Sequence, residues 1–405
     1  MSAHLTPELP RVALITYSTK PRGGVVHTLA LGEELHRLGY PVQVIALGDP
    51  ASGFFRPVSV PHVFVPPPPV APTLVERVEL AIAALTDGLR ALAPGRFDVL
   101  HVQDCLAARA ATQLRDDEGL PVRVVRTVHH VDDFTTPALV ECQRRSILDP
   151  DHVLVVSDYW RRLLAEEYGV DAAVIVNGVD ARRFARPPTF DGRAWRARTE
   201  TAQRFLFLSV GGLEPRKGSV HLVEALARIR DSLRPRPMVA VVGEHSFQDH
   251  SGYRAQVLQR AADLGLELGT DLLLLGTVGD SDLPAWYWSA DAFVFPSIKE
   301  GWGLAVLEAM AAGLPVITSD IPVFQEYLAD GKEVRMVRAA DSGALADAMA
   351  DLVTDAKLRR RLASEGPGVA ARYTWEACAS QHVKYYRGLD YRRLVPPPQP
   401  RQGLA

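Results

Sequence analysis

Two glutamates, Glu300 and Glu308, lie eight positions apart in the segment PSIKEGWGLAVLEAMAAGLPV, residues 296–316. A strand-like run ends before Glu300, a glycine turn follows it, and an apolar helix begins at Leu304 and carries Glu308. Such a helix start offers free backbone N–H groups and the positive end of the helix dipole, which suit phosphate. Carboxylates accept hydrogen bonds from hydroxyl groups, so a ligand with phosphate and neighbouring hydroxyls, such as a nucleotide sugar, fits this pair. A structural alternative stays open, in which Glu300 caps the helix and Glu308 is solvated or ion-paired.

A second glycine-containing turn, SVGGLEPRKGS at residues 209–219, also follows a predicted strand and precedes a predicted helix. Arg216 and Lys217 stand on it, and two cations at a strand end suit a diphosphate without requiring a metal ion. The turn is not a P-loop, because Lys217 stands before the glycine instead of between a glycine and Ser or Thr. Phosphorylation by a kinase mechanism therefore loses its main support, and the structural alternative is a solvated turn.

A third turn, KPRGG at residues 20–24, opens the first predicted helix with Gly23 and Gly24. It lacks the Gly-x-Gly-x-x-Gly pattern and the acidic residue about 20 positions further on that dinucleotide binding requires. Hydride transfer is therefore disfavoured. The helix is predicted from apolar residues that recur near one face and from the glycine that ends it, namely Val25, Leu29, Leu35, Leu38 and Gly39.

The composition is that of a soluble globular protein, and the length predicts two or three domains. The chain has 405 residues, 47% hydrophobic and 23% charged, with a net charge of −3 that offers no general attraction for nucleic acid. The three cysteines are far apart in sequence and form neither a metal-binding spacing nor a disulfide framework. The N-terminal residues lack a signal-peptide pattern, and no apolar run approaches the ~18 residues of a membrane span. We therefore expect a cytoplasmic protein with at most peripheral contact at the inner membrane face.

Apolar strand runs alternate with helical stretches twice along the chain, which predicts an α/β fold of two doubly wound Rossmann-like halves facing an interdomain cleft. We expect the first half at residues 1–185, an Arg- and Pro-rich linker at 186–203, and the second half at 204–373. A final helix in 374–405 is expected to cross back to the first half and to precede a proline-rich tail. The proline runs at 65–72 and 395–400 are interpreted as stiff loops or tails.

These motifs together resemble a retaining glycosyltransferase of the GT-B fold, similar to glycosyltransferase family 4. The resemblance extends over nearly the whole chain, and its most specific element is the E-x7-E signature from Glu300 to Glu308. The run VSDYWRRLLAEEYGV…VIVNGVDARRF is similar to the interdomain run of the family. The segment RTVHH is similar to the strand end that carries an active-site histidine, here His129.

The resemblance implies a role for each matching residue. Glu300 would bind hydroxyls of the donor sugar, Lys217 the donor diphosphate, and His129 the sugar beside its anomeric carbon. Arg216 would reach the oxygens that an arginine of the family usually binds, because this chain has glycine at that place, Gly212. Further donor-binding positions are expected at Gly23, Gly24, Gly212, Val278 (near the base), Gly301, Trp302, Gly303, Leu304 and Glu308 (at the ribose).

The resemblance also implies a mechanism without a metal ion, any other cofactor or a protein nucleophile. The cations and the helix start would stabilise the leaving nucleoside diphosphate, and a phosphate oxygen would take the acceptor proton. The donor would be a nucleoside-diphosphate sugar, and the acceptor a small molecule, a glycan or a lipid. Three alternatives of the same fold stay open: a sugar-nucleotide epimerase, a phosphorylase, and a non-catalytic nucleotide-sugar-binding protein.

Three further motifs receive structural interpretations. The segment HHVDD, residues 129–133, has metal-capable side chains but no fourth distant ligand, so a metal site is disfavoured. The triplet DSD at 280–282 resembles a metal-binding Asp-x-Asp, but a proline follows it, and we interpret it as the cap of the next helix. The basic segment KLRRRL, 357–362, is interpreted as a solvated helix face, with contact to anionic lipid as the alternative.

Overall fold

The predicted alternation of strands and helices forms two separate parallel β-sheets with helices on both faces. The computed structural model describes residues 9–92, 95–244 and 251–389. Within these residues the prediction of an α/β fold of two doubly wound halves is confirmed. In this part of the chain no helix combines the length and the apolar character that crossing a bilayer requires.

The first half contains a seven-stranded sheet in the order β3-β2-β1-β4-β5-β6-β7. The interior strands β1 and β4 have no exposed side chain, because helices cover both faces of the sheet. The elements are β1 (Val12–Thr16), α1 (Gly23–Arg37), β2 (Val42–Leu47), β3 (His62–Val65), α2 (Leu74–Leu92), β4 (Val99–Val102), α3 (Cys105–Glu118), β5 (Arg123–Val128), α4 (Pro137–Leu148), β6 (His152–Val155), α5 (Asp158–Tyr168) and β7 (Ala173–Val174).

Two short helices connect the halves, α6 (Ala181–Phe184) and α7 (Gly192–Arg198). The second sheet then has the order β10-β9-β8-β11-β12-β13. Its elements are β8 (Phe205–Val210), α8 (Ser219–Ile229), β9 (Pro237–Val242), α9 (Ser251–Asp263), β10 (Leu272–Gly276), α10 (Leu283–Ser289), β11 (Ala292–Phe295), α11 (Leu304–Ala311), β12 (Val316–Ser319), α12 (Pro322–Gln325), β13 (Arg335–Val337), α13 (Ser342–Thr354), α14 (Ala356–Ala370) and α15 (Trp375–Gly388).

Helix α15 returns to the first half and packs against α1. Its Tyr386 hydroxyl lies 2.6 Å from Nδ1 of the buried His101 in β4, so a polar contact fixes the helix on the first sheet. Helix α15, in the segment 374–405, therefore lies against the first half. The tail at 395–400 lies outside the described residues.

Three details differ from the sequence-based expectations. Leu38, expected on the buried face of α1, is 44% exposed, because the helix ends at Arg37 and the chain turns at Gly39 with φ +75°. The expected linker contains α7, which Asp191 caps by accepting hydrogen bonds from two backbone N–H groups. Asp282 stands at the N-cap position of α10, but its side chain makes no capping hydrogen bond.

Candidate active site

The carboxyl ends of both sheets border one cavity of about 2060 Å³ between the two halves. This is where strand order reverses in each sheet, between β1 and β4 and between β8 and β11, and where doubly wound folds bind ligands. Every predicted site residue except Gly212 borders the cavity: Gly23, Gly24, His129, Arg216, Lys217, Val278, Glu300, Gly301, Trp302, Gly303, Leu304 and Glu308. Residues far apart in sequence are thus brought to one place.

Gly212 is buried and has a structural role instead. With φ +72°, a Cβ at this position would lie 2.5 Å from the carbonyl oxygen of Glu244, so only glycine fits. Gly211 is the glycine that borders the cavity, and a Cβ there would lie 2.9 Å from Cε of Lys217. Both N–H groups donate to the Val242 carbonyl, which leaves neither directed at a ligand. The pair therefore makes room for Lys217 and packs the turn against β9.

Lys217 and Glu300 form a close ion pair at the centre of the second half's wall. Nζ of Lys217 lies 2.5 Å from Oε1 of Glu300, and a guanidinium nitrogen of Arg216 lies 3.5 Å from the same oxygen. Arg216 is also held by Glu214, with Nε 3.1 Å from its carboxylate. Sequence reasoning missed Glu214, although it stands beside the two cations in the motif EPRKG.

Burial and the partner's charge have opposite effects on the pKa of each member of this pair. Burial disfavours the ionised Glu300 carboxylate, but Lys217 and Arg216 outweigh burial and lower its pKa below the usual value. The pKa of Lys217 is lowered by burial, and Glu300 only partly offsets this effect. Glu300 is therefore a buried carboxylate held by two cations. It does not cap the following helix, so the structural alternative for this residue is wrong.

The start of α11 is left without a side-chain cap. Gly303 occupies the N-cap with φ +93°, and a Cβ there would lie 2.5 Å from a ring carbon of Phe324. The first N–H groups of the helix border the cavity at Leu304, as an anion site requires. The indole of Trp302 is 3% exposed and stacks on Tyr327, with ring centroids 4.6 Å apart. Trp302 therefore anchors the turn by packing.

Glu308 lies one turn into α11 and has a neutral partner. The buried Tyr287 hydroxyl donates to Oε2 of Glu308 at 2.7 Å, a contact that the sequence did not indicate. Burial raises the pKa of Glu308, while the Tyr287 bond and nearby Arg183 oppose that rise. Arg183 itself pairs with Asp280 at 2.7 Å.

His129 stands on the wall of the first half. Its Nε2 lies 3.3 Å from the amide oxygen of Gln103, and its ring meets the edge of buried His27 at a centroid distance of 4.8 Å. Burial lowers the pKa of His129 well below its usual value, and the charge of Arg126 adds to this effect. The imidazole is therefore neutral at pH 7. Gly24 lies beside it, because a Cβ at Gly24 would be 3.7 Å from the imidazole.

The remaining side chains of HHVDD have separate partners. His130 lies 3.1 Å from Asp132, and Asp133 is 2.6 Å from Lys299 of the second half. Across the part of the chain that the structure describes, no three His, Cys, Asp or Glu side chains converge on a common point. Two further contacts join the halves at the site. Trp160 Nε1 donates to the Glu300 carbonyl at 2.9 Å, and a Cβ at Gly301 would lie 2.2 Å from the His129 carbonyl oxygen.

Comparison with known proteins agrees with this architecture. Residues 21–183 match the model of Glycosyltransferase Family 4, and residues 193–368 match the model of Glycosyl transferases group 1. The phosphatidyl-myo-inositol mannosyltransferase of Mycobacterium leprae is 32% identical over 93% of this chain and 96% of its own length. The D-inositol 3-phosphate glycosyltransferase of Frankia alni is 31% identical over 91% and 95% of the two chains.

Solved structures support the same fold. The Anabaena protein HepE in complex with UDP-glucose superimposes with a TM-score of 0.77 at 18% identity, over 94% of this chain and 100% of that one. The sucrose-phosphate synthase of Thermosynechococcus elongatus gives a TM-score of 0.76 at 22% identity, over 93% and 98%. The solved structures show the fold alone, because their identity to this chain is low, whereas the sequence relatives show the class of activity. The chain is a glycosyltransferase with the GT-B fold and belongs to glycosyltransferase family 4.

Proposed function

We propose that this glycosyltransferase moves a hexosyl group from a nucleoside-diphosphate sugar to a phosphorylated inositol, free or as a lipid headgroup. We further propose that it retains the anomeric configuration and needs no metal ion. The observation that carries the donor proposal is the ion pair of Lys217 and Glu300 in the wall of the cavity, beside the uncapped start of α11. The acceptor class and mannose as first-choice sugar come from the names of the two relatives.

Each part of the donor has a complementary group in the second half. The diphosphate would take the N–H groups at Leu304 and the cations Lys217 and Arg216, which all border the cavity. The ribose hydroxyls would donate to Glu308, whose carboxylate is oriented by Tyr287. Sugar hydroxyls would donate to Glu300. Because Glu300 and Lys217 are ion-paired, the diphosphate at Lys217 and the sugar at Glu300 would lie side by side.

The reaction would then need no protein nucleophile. The bond between the anomeric carbon and the diphosphate oxygen breaks, and the acceptor oxygen bonds to that carbon on the same face. The acceptor proton passes to the departing phosphate oxygen, so charge and atoms balance. Lys217 and Arg216 stabilise the charge that develops on the leaving group. Neutral His129, beside Gly24 on the facing wall, can accept or donate a hydrogen bond to the sugar without adding positive charge to it.

An acceptor-dependent assay tests this proposal. UDP-, GDP- and ADP-sugars are first screened for thermal stabilisation, because ligand at 100 times its dissociation constant adds about 2.7 kcal/mol. Release of nucleoside diphosphate is then measured with and without myo-inositol 1-phosphate, and the anomeric configuration of the product is read by NMR. Release that requires acceptor, gives the same anomer as the donor and survives EDTA supports the proposal.

Other outcomes identify the alternatives. Release without acceptor, or an interconverted nucleotide sugar, indicates an epimerase. Transfer to inorganic phosphate indicates a phosphorylase, and binding without turnover over the whole acceptor series indicates a binding protein. An inverted product contradicts retention, and activity that is lost with EDTA and restored by Mn²⁺ or Mg²⁺ contradicts metal independence.

A further inference from the structure

A buried arginine without a counterion lies in the wall of the first half. Arg126 of β5 is 4% exposed and borders the cavity. Its guanidinium donates to the carbonyl of Thr127 at 2.6 Å and contacts that of Val102 at 3.5 Å, but Nε has no hydrogen-bond partner in the described residues. Nor does any carboxylate among these residues approach Arg126 within ion-pair distance. Burial of an uncompensated charge is costly, so such a group calls for a ligand or a function.

The nearest carboxylate to consider is Asp104, and it is already engaged. Asp104 caps α3 by accepting from the N–H of Ala107 at 2.8 Å, and it accepts from the N–H of Tyr17 at 2.8 Å. Burial raises the pKa of Asp104, which means that the positive charge of Arg126 does not fully offset desolvation. Asp104 is therefore a structural cap close to Arg126, and it leaves the guanidinium without a direct salt bridge.

The charge balance of this wall is positive. Two cavity-lining arginines are neutralised locally, since Arg56 pairs with Glu33 at 2.7 Å and Arg37 with Glu34 at 2.8 Å. The other cations on the wall have no carboxylate within 4 Å in the part that the structure describes, and they come from three places: Lys20 and Arg22 in the turn before α1, Arg77 in α2 and Arg126 in β5. Asp104 and Asp132 offset only half of that charge.

We propose that Arg126, together with Arg22, binds the phosphate group of the acceptor. Arg22 holds the N-cap position of α1 without a capping side chain, and it donates to the hydroxyl of Tyr17, whose backbone bonds to Asp104. Tyr17 thus links Arg22 to Asp104, and the charge of Arg126 acts on the pKa of the same Asp104, so both arginines lie in one region of the half opposite Lys217. The backbone carbonyls already fix the Arg126 guanidinium, so little side-chain entropy is lost when it binds an anion.

This inference rests on the proposed transferase function and specifies which group of the acceptor is recognised. The tested variants are Arg126→Gln, which keeps a donor for the carbonyls but removes the charge, and Arg126→Lys, which keeps the charge but removes the fork. The control is Arg56→Gln, because Arg56 borders the same cavity but is neutralised by Glu33. The acceptors are myo-inositol, myo-inositol 1-phosphate, and phosphatidylcholine vesicles containing phosphatidylinositol.

Arg126→Gln is expected to raise the KM for phosphorylated acceptors about 10- to 100-fold, because a charge-assisted hydrogen bond to the phosphate is lost. Its affinity for nucleoside diphosphate should stay within about twofold of the wild type, because that ligand is proposed to bind the facing wall. Arg126→Lys should recover part of the loss, and Arg56→Gln should stay within about twofold of the wild type. If only the soluble phosphate shows the effect, the acceptor is a free inositol phosphate; if only the vesicles do, it is a lipid headgroup.

Equal losses on neutral and phosphorylated acceptors, or weaker nucleotide binding, would overturn the inference and give Arg126 a structural role. A calorimetric titration with myo-inositol 1-phosphate at saturating nucleoside diphosphate separates this failure from failure of the transferase proposal. Binding that is lost in Arg126→Gln supports the phosphate site even if no sugar is transferred. Absence of binding to the wild type overturns the site even if transfer to other acceptors is found. Should Arg126→Gln fail to fold, Arg22→Gln replaces it with the same expected pattern.

Discussion

The two halves of the molecule share one topology but build their walls of the cavity in different ways. In the second half, the wall proposed to bind the donor comes mainly from two continuous segments, residues 209–219 and 296–316. In the first half, the wall proposed to bind the acceptor is assembled from side chains on separate elements, such as Arg22 before α1, Arg77 in α2 and Arg126 in β5. One wall is thus built from local sequence, and the other from the packing of distant elements.

The walls also differ in how their cations are compensated. Lys217 and Arg216 are paired with Glu300 and Glu214. Arg126 has no carboxylate partner in the described part of the molecule. Donor binding would therefore replace carboxylate contacts of Lys217 and Arg216 by phosphate contacts, whereas acceptor binding would supply the anionic partner that Arg126 lacks. The following predictions test this difference.

The largest effect is expected from Lys217→Ala, which should lower kcat about a hundred- to a thousandfold. The reason is that charge develops on the leaving diphosphate in the transition state, beside this lysine. Donor affinity should fall much less, since the ion pair with Glu300 must be given up on binding. Steady-state kinetics measures both quantities. Lys299→Ala is the control, because Lys299 pairs with Asp133 across the halves. A change in KM alone would show that Lys217 acts only in the ground state.

The alanine variants of Glu300 and Glu308 should lose different functions. Glu308→Ala is expected to weaken free nucleoside diphosphate and intact donor alike, about 10- to 100-fold, as a lost charged hydrogen bond does. Glu300→Ala should impair donor turnover but change the affinity for nucleoside diphosphate little, because Glu300 is proposed to contact only the transferred sugar. Calorimetry with nucleoside diphosphate tests both. Tyr287→Phe serves as the matched control for orientation and should weaken the nucleotide less than Glu308→Ala. Equal weakening by both glutamate variants would contradict this division of roles.

Alanine substitutions at Gly301 and Gly24 should have different effects on stability, because Gly301 contacts the other half whereas the neighbours of Gly24 belong to its own half. Gly301→Ala places a methyl group 2.2 Å from the His129 carbonyl oxygen, so it should destabilise the protein by about 1–3 kcal/mol and lower activity. Gly24→Ala meets its first neighbour at 3.7 Å and lies in α1, so its stability should be unchanged or slightly higher. Urea unfolding of both variants is the measurement. Equal stability of the two would mean that the turn moves freely away from the first half.

The smallest effect concerns pH, and it should arise in the first half. Buried histidines in the described chain are His27, His101 and His382, all packed around that sheet. Burial lowers the pKa of His382 to about 4, while an unfolded histidine titrates near 6.5. The unfolded state therefore binds more protons between these values, and stability falls as pH falls through this window. His382 alone should cost about 1 kcal/mol between pH 7 and 5.5.

Urea titrations at the two pH values check this prediction. The variant His382→Asn keeps a donor for the Cys378 carbonyl and should reduce the pH dependence. His36→Asn, on the exposed side of α1, should leave it unchanged. A pH dependence that is identical in all three proteins would place the responsible groups elsewhere.

Sequence patterns predicted the architecture and most of the segments of the second half that border the cavity, because both depend on local order. Strand runs such as 237–242 are apolar throughout because both faces are covered. Glycine at 303 takes the left-handed backbone conformation at the N-cap of α11, which other residues resist. In the turn at 209–219, the sequence did not indicate which of the two glycines borders the cavity. Gly212 was assigned to the donor site, but its neighbour Gly211 borders the cavity.

Several partners could not be predicted because they arise from distant segments. Tyr287 reaches Glu308 from α10, Gln103 reaches His129 from the end of β4, and Trp160 reaches the turn at Glu300 from the other half. No spacing in the sequence encodes such contacts, since they depend on how helices and sheets pack.

The sequence by itself determined that two Rossmann-like halves form, and that cations and carboxylates follow the strand ends of the second half. Those features follow from hydrophobic periodicity and turn chemistry, which act over a few residues. Only the tertiary structure decided which charges neutralise each other. Glu300 could have capped a helix, yet it pairs with Lys217, and Arg126 could have been an ordinary strand residue, yet it is a buried cation at the cavity. Charge compensation is a property of three-dimensional distance, because Coulomb energy depends on separation in space and on burial.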